Sequence, residues 1–135
     1  MDDEQRRNDG MRVRREVLGT QHVDHSLENR NAFNEPFQDF ITRYAWGEIW
    51  SRPGLSRPIR SLITLALLVA LNREEEFKMH VHAAFRNGVT REQLQEVLLQ
   101  SAVYCGLPAA NNAFHWAGAV LAQIDSEELS EDLSR

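Results

Sequence analysis

The sequence predicts an all-α fold, a single helical domain of about six helices. Three observations carry this. No segment alternates apolar and polar residues with strand-favouring side chains. Apolar residues recur at helical spacing along the chain. Proline, glycine and capping residues punctuate these stretches at intervals of a helix length. At 135 residues the chain is long enough for one hydrophobic core without metal or disulfides.

Residues 1–10 and 126–135 ("SEELSEDLSR") are polar and are expected to fray, which leaves 11–125 as the domain. A short helix is expected over 11–18, with Val13, Val17 and Leu18 on one side. Segment 19–34 has weak periodicity and reads as irregular. Pro36 belongs in the first turn of a helix over 35–51, striped by Phe37, Phe40, Ile41 and Tyr44. Ser56 can cap the next helix, 57–71, with Pro58 in its first turn. That helix is apolar nearly all round and must be covered on every side. A chain this small has little material for that, so self-association is expected. Helix 73–87 ends at Gly88, and Thr90 and Gln93 form a capping box for helix 91–105. "GLP" breaks the chain, and a last helix runs from Pro108 to about Ile124.

Composition narrows the function. Net charge is −5, which argues against general attraction to nucleic acid. The longest apolar run, Leu62–Leu71, is about half of what a bilayer needs, so no membrane span is expected. The N-terminus is too polar for a signal peptide. The one cysteine, Cys105, can form no intramolecular disulfide and suits a reducing cytoplasm. Cys105 closes a helix, where the dipole opposes a thiolate, so it reads as a packing residue. Of 15 basic residues 14 are arginine; they suit planar carboxylates, and a compositional bias produces the same excess.

The stretch "REEEFKMHVHAAFRNG" (73–88) concentrates the chemistry. Glu76 and His80 are four apart on one helical face. Phe77, Val81, Ala84 and Phe85 set His80 at the edge of the core. A carboxylate one turn away would orient the ring and raise its pKa, giving a proton donor near neutrality. The same spacing also describes a surface pair worth only ~0.3–0.5 kcal/mol. His82 lies on the opposite side with Glu75 and Arg86, a solvent-like set. Glu76 and His80 lack further ligands at metal spacing, so no metal is expected. Trp46 or Trp50, in "YAWGEIW", can keep a pocket dry. Glu96 can face solvent or a cavity, and Asn111, Asn112 and His115 share a polar strip of the last helix.

The order "YAWGEIWSRPGLSRPIRSLITLALLVALNR", then "HVHAAFRNGVTREQLQEVLLQSAVYCGLPAANNAF", resembles the carboxymuconolactone decarboxylases over about residues 10–122. The specific parts are Arg60-Ser61-Leu62, His80 ahead of Gly88, Glu96, and Tyr104 through Ala109. The wider superfamily includes alkylhydroperoxidase-type proteins with paired cysteines. Fitting His80 to their histidine puts Arg73 and Glu76 where the thiols would stand, which excludes thiol-based peroxide reduction.

The resemblance implies an alkylhydroperoxidase-like helical bundle that assembles as a homo-oligomer, a hexamer or trimer, and needs no cofactor. It implies conversion of 4-carboxymuconolactone, a small anionic lactone dicarboxylate, to 3-oxoadipate enol-lactone and carbon dioxide. This step belongs to the protocatechuate branch of the β-ketoadipate pathway. In that reading His80 is the proton donor or oxyanion partner, oriented by Glu76. Arg60 and Arg57 hold a carboxylate, Tyr104, Glu96 and Asn112 add polar wall, and Trp46 keeps the pocket dry. His82 stands where close relatives are expected to carry arginine, and it joins the substrate-binding set on that ground. A related lyase or isomerase of another ring acid, and a non-catalytic helical oligomer binding a small acid, are the alternatives.

Overall fold

The computed structural model describes residues 2–134. Helix α1 spans Asp3–Leu18 and α2 spans Thr20–Glu28, separated by Gly19. Both correct the sequence reading. Residues 3–10 do not fray, because Asp2 and Gln5 form a capping box and the helix they open buries Gly10, Val13, Arg14 and Val17. The 19–34 segment contains a helix whose one buried side chain is Val23, too few for a clear period.

Helix α3, Glu35–Ile41, has Pro36 in its first turn and continues as a π-helix over Thr42–Ile49. π-Helical stretches are rare and tend to occur at functional sites. Helix α1 crosses this stretch in backbone contact. A Cβ on Gly10 would land on the carbonyl oxygen of Thr42, and one on Gly47 would land on that of Arg6. Polar ties flank the crossing. Arg6 Nε donates to Glu48 at 3.0 Å, Arg7 Nε to Asp39 at 2.7 Å, and the buried Arg14 reaches Thr42 Oγ1 at 3.2 Å and Gln38 at 3.0 Å.

Helix α4 runs Arg57–Leu71 behind the Ser56 cap, α5 Glu74–Arg86, α6 Arg91–Cys105 and α7 Leu107–Ser134. The Thr90–Gln93 capping box forms as the sequence predicts. Gly88 adopts φ +97° just past α5, after Asn87 rather than directly on the last helical residue. The polar C-terminal segment is helical to Ser134 rather than frayed, and among the described residues there are seven α-helices besides the π-helix, where about six helices were expected. Met1 and Arg135, the outermost residues of the two expected tails, lie outside the described residues.

The main core joins α4 to α7 through Leu65, Val69, Phe77, Val81, Leu98 and Ala117. Each large side chain removed from water there contributes ~1.5–3 kcal/mol. A second cluster, Val13, Val17, Trp46 and Ala83, joins α1, the π-helix and α5. Between α4 and α5 the fully buried Ser61 Oγ accepts from Asn87 Nδ2 at 3.0 Å. Among the described residues no helix is long and apolar enough to cross a membrane.

Candidate active site

His80 projects from the middle of α5 toward the π-helix. Its ring stacks on Trp50, with centroids 6.5 Å apart and planes 20° from parallel; Trp50 in turn tilts onto Trp46 at 5.3 Å. Trp46 is buried among Val13, Val17 and Ala83, and Trp50 packs against that cluster. The imidazole is therefore half-buried against a wall of indoles, and its Nδ1 is buried with no hydrogen-bond partner.

These surroundings reverse the expected titration. Burial pushes His80 down from 6.5 to about 4; a charge on His22 pushes the same way, and Glu76 opposes both only weakly. Glu76 does act in the expected direction, but burial outweighs it, so the expected net rise to a proton donor near neutrality is corrected: Glu76 is exposed, makes no hydrogen bond to His80 among the described residues, and acts through charge alone. At neutral pH the free protein holds a neutral imidazole, one nitrogen a donor and the other an acceptor.

The two arginines at the start of α4 differ. Arg57 is committed to Glu16 at 2.6 Å. Arg60 donates from Nη2 to the Arg52 carbonyl at 3.2 Å, while its Nε is buried without a partner. An unspent guanidinium donor makes Arg60 the better carboxylate ligand of the two.

Other expected site residues stand apart within the single chain. Tyr104 is 82% exposed and lines a cavity of about 280 Å³ with Leu62, Ile63, Val97 and Cys105. Glu96 is exposed on α6, and Asn112 donates weakly to Asn72 at 3.5 Å. Among the described residues no hydrogen bond, ion pair or ring contact joins these three to His80.

His82 is exposed, as its neighbours suggested, but it borders a cleft of about 920 Å³ between α2 and the far side of α5, with His22 and Arg86. His22 is half-buried, its pKa lowered by burial, then by Arg14 and His25. His22, when protonated, also lowers the proton affinity of His80. Sequence reasoning missed His22 because it sat in a segment read as irregular. The available signal was Val23 and Leu27, four apart just after Gly19. Among the described residues no three His, Cys, Asp or Glu side chains gather as a metal-ligand set.

Comparison with known proteins gives the family of the chain. The sequence pattern of the Carboxymuconolactone decarboxylase family matches residues 35–119, which hold the π-helix, α4, α5 and α6. A 4-carboxymuconolactone decarboxylase from Acinetobacter baylyi is 54% identical over 134 residues, 98% of this chain and 100% of that protein. A nitrosuccinic acid decarboxylase from Metarhizium robertsii is 42% identical over 106 residues, 78% of this chain and 74% of that protein. A 4-carboxymuconolactone decarboxylase from Pseudomonas putida is 56% identical over 48 residues, 36% of this chain and 100% of that sequence. With more than half its length inside the pattern and one relative alike from end to end, this chain belongs to the Carboxymuconolactone decarboxylase family.

Proposed function

We propose that this protein decarboxylates 4-carboxymuconolactone to 3-oxoadipate enol-lactone without a cofactor, as a carboxy-lyase of the protocatechuate branch of the β-ketoadipate pathway. The end-to-end likeness to the Acinetobacter decarboxylase carries this reading. The substrate's own structure explains why no cofactor is needed. When the carboxylate leaves the quaternary ring carbon, the bond electrons pass through the ring double bond to the lactone carbonyl, and a dienolate forms. Nitrosuccinic acid, the acid in another relative's name, meets the same requirement, with a nitro group as electron sink and two carboxylates.

The protein has to supply a partner for the enolate oxygen, a proton for carbon and a grip on the carboxylates. His80 fits the first two. Its imidazole is neutral in the free protein, and the two negative charges of the bound substrate raise its affinity for a proton. The imidazolium then stabilises charge on the enolate oxygen. Its proton passes to the ring carbon beside the carbonyl, so the reaction takes up one proton for each carbon dioxide lost. Arg60, with its unpaired Nε, is the nearer fit for a carboxylate than Arg57, which would first have to release Glu16. Glu76 tunes His80 through charge, and Trp46 and Trp50 exclude water from the departing carboxylate. Glu96, Tyr104, Asn112 and His82 stand apart from His80 within one chain, so any place they have in the substrate's polar surroundings would come through a neighbouring copy.

The protein works as a homo-oligomer, a trimer or hexamer, in the cytoplasm. Ile59, Ile63, Leu67 and Leu71 form a stripe along α4 that is 44–64% exposed, and Val103, Tyr104 and Leu107 are exposed on α6 and α7. A second copy would bury that stripe, in keeping with the all-round apolar character of this helix.

Purified protein incubated with 4-carboxymuconolactone should yield enol-lactone and carbon dioxide, and His80→Ala should lose nearly all turnover. Full turnover in that variant removes the mechanism. Ring opening or isomerisation without gas would shift the reading to a related lactone-acid enzyme, and binding without product to a non-catalytic oligomer.

A further inference from the structure

We propose that the cavity bounded by α1, α2 and α3 is an anion site separate from the His80 site, made for a small monocarboxylate with a compact apolar body. The cavity has a volume of about 590 Å³. Gln38, Thr42 and Arg30 line it and supply the contacts, and the buried charge of Arg14 stands behind the first two.

Arg14 on α1 is 4% exposed, yet no carboxylate of the chain pairs with it among the described residues. Its Nη1 donates to Thr42 Oγ1 at 3.2 Å and its Nη2 to Gln38 Oε1 at 3.0 Å, both neutral acceptors. Its Nε is buried without a partner. A buried cation is costly unless an opposite charge reaches it, and an apolar side chain would fill the same space without that cost.

The guanidinium also fixes how its two acceptors face the cavity. It can only donate, so it occupies an oxygen of each. Gln38 keeps its amide N–H groups and Thr42 its hydroxyl hydrogen, and neither donates elsewhere among the described residues. Arg30 borders the same cavity, and its guanidinium makes no ion pair or hydrogen bond there. The charge of Arg14 therefore reaches the cavity as polarised donors, joined by one guanidinium at the rim.

The rest of the lining selects the anion. Asp39 is taken up by Arg7 at 2.7 Å and Arg43 at 2.8 Å. Glu35 stands at the rim with no side-chain partner among the described residues and repels a second negative charge, such as that of phosphate. Met11, Leu27, Ala32 and Pro36 form an apolar wall suited to a carbon skeleton. A single carboxylate on a small apolar ring satisfies the donors, matches the one buried charge and covers this wall.

The test titrates cyclopentanecarboxylate and inorganic phosphate into the full chain by calorimetry. The ring acid should bind native protein, and phosphate should bind more weakly. Gln38→Glu gives Arg14 a counter-ion within the chain, so this variant should melt no lower than native protein and bind the ring acid at least ~10-fold more weakly. Arg30→Gln changes an exposed side chain, leaves the fold intact and should weaken binding by ~3- to 10-fold. His80→Ala should bind as native protein does, which separates this cavity from the candidate active site. No binding by native protein overturns the proposal, as do equal affinities in native protein, Gln38→Glu and Arg30→Gln. Loss of binding in His80→Ala places the ligand at the other site and overturns it too, and phosphate bound as tightly as the ring acid overturns the ligand class.

Discussion

Burial of His80 makes stability depend on pH in a calculable way. The unfolded chain binds a proton at this ring below 6.5, whereas the folded protein resists it until about 4. Between those values the unfolded state holds more protons, so acid favours unfolding. The contribution is complete above 6.5, falls as pH drops through the window, and is gone below 4. Each pH unit of the window is worth ~1.4 kcal/mol, so the whole window is worth at most roughly 3–4 kcal/mol. His80→Gln keeps a polar side chain and removes the titration. Denaturant unfolding followed by tryptophan fluorescence, from about pH 4.5 to 7.5, should show native stability falling more steeply with acid than that of the variant. His22, also held down by burial, remains in both proteins, so the difference between the curves reports His80 together with its coupling to His22. Parallel curves, or an imidazole that titrates by NMR at its ordinary value in the folded protein, would refute the account of the site.

Two further perturbations address the scaffold. Gly10→Ala drives a methyl group into the backbone carbonyl of Thr42, which cannot rotate away. The expected loss is ~1–3 kcal/mol or more, seen as a fall in Tm, and an unchanged Tm would contradict the close crossing. Leu67→Glu puts a charge in the exposed stripe of α4 and should give a smaller species by sedimentation with helical content unchanged. An unaltered assembly would exclude that face from the interface.

Much of the fold could be read where local chemistry punctuates it. The Ser56 cap with Pro58, and the Thr90–Gln93 box, mark the starts of α4 and α6 within a few residues of sequence. The second half of α1 was read as the helix over 11–18, but its polar first turns were hidden because distant partners secure them, Glu48 for Arg6 and Asp39 for Arg7, which no local window contains. A helix over 35–51 was expected, but the π-helical winding of Thr42–Ile49 was hidden because its wider turn departs from the 3.6-residue period by which apolar stripes are recognised. At the site, Phe77, Val81 and Ala84 correctly marked His80 as an edge-of-core residue. Its proton affinity could not follow from spacing, since spacing reveals the nearby Glu76 and conceals how little water reaches the ring. His82 and Arg86 were read as a solvent-like set, and both are exposed.

The seam at Gly10 and Gly47 makes the first helix a gasket for the tryptophan pair. A bulky N-terminal fusion, or a protease nick near Gly19, would lever that gasket loose far from any reacting atom. Water would then seep beneath Trp46, the imidazole would regain its appetite for protons, and an enzyme still largely helical would fall silent.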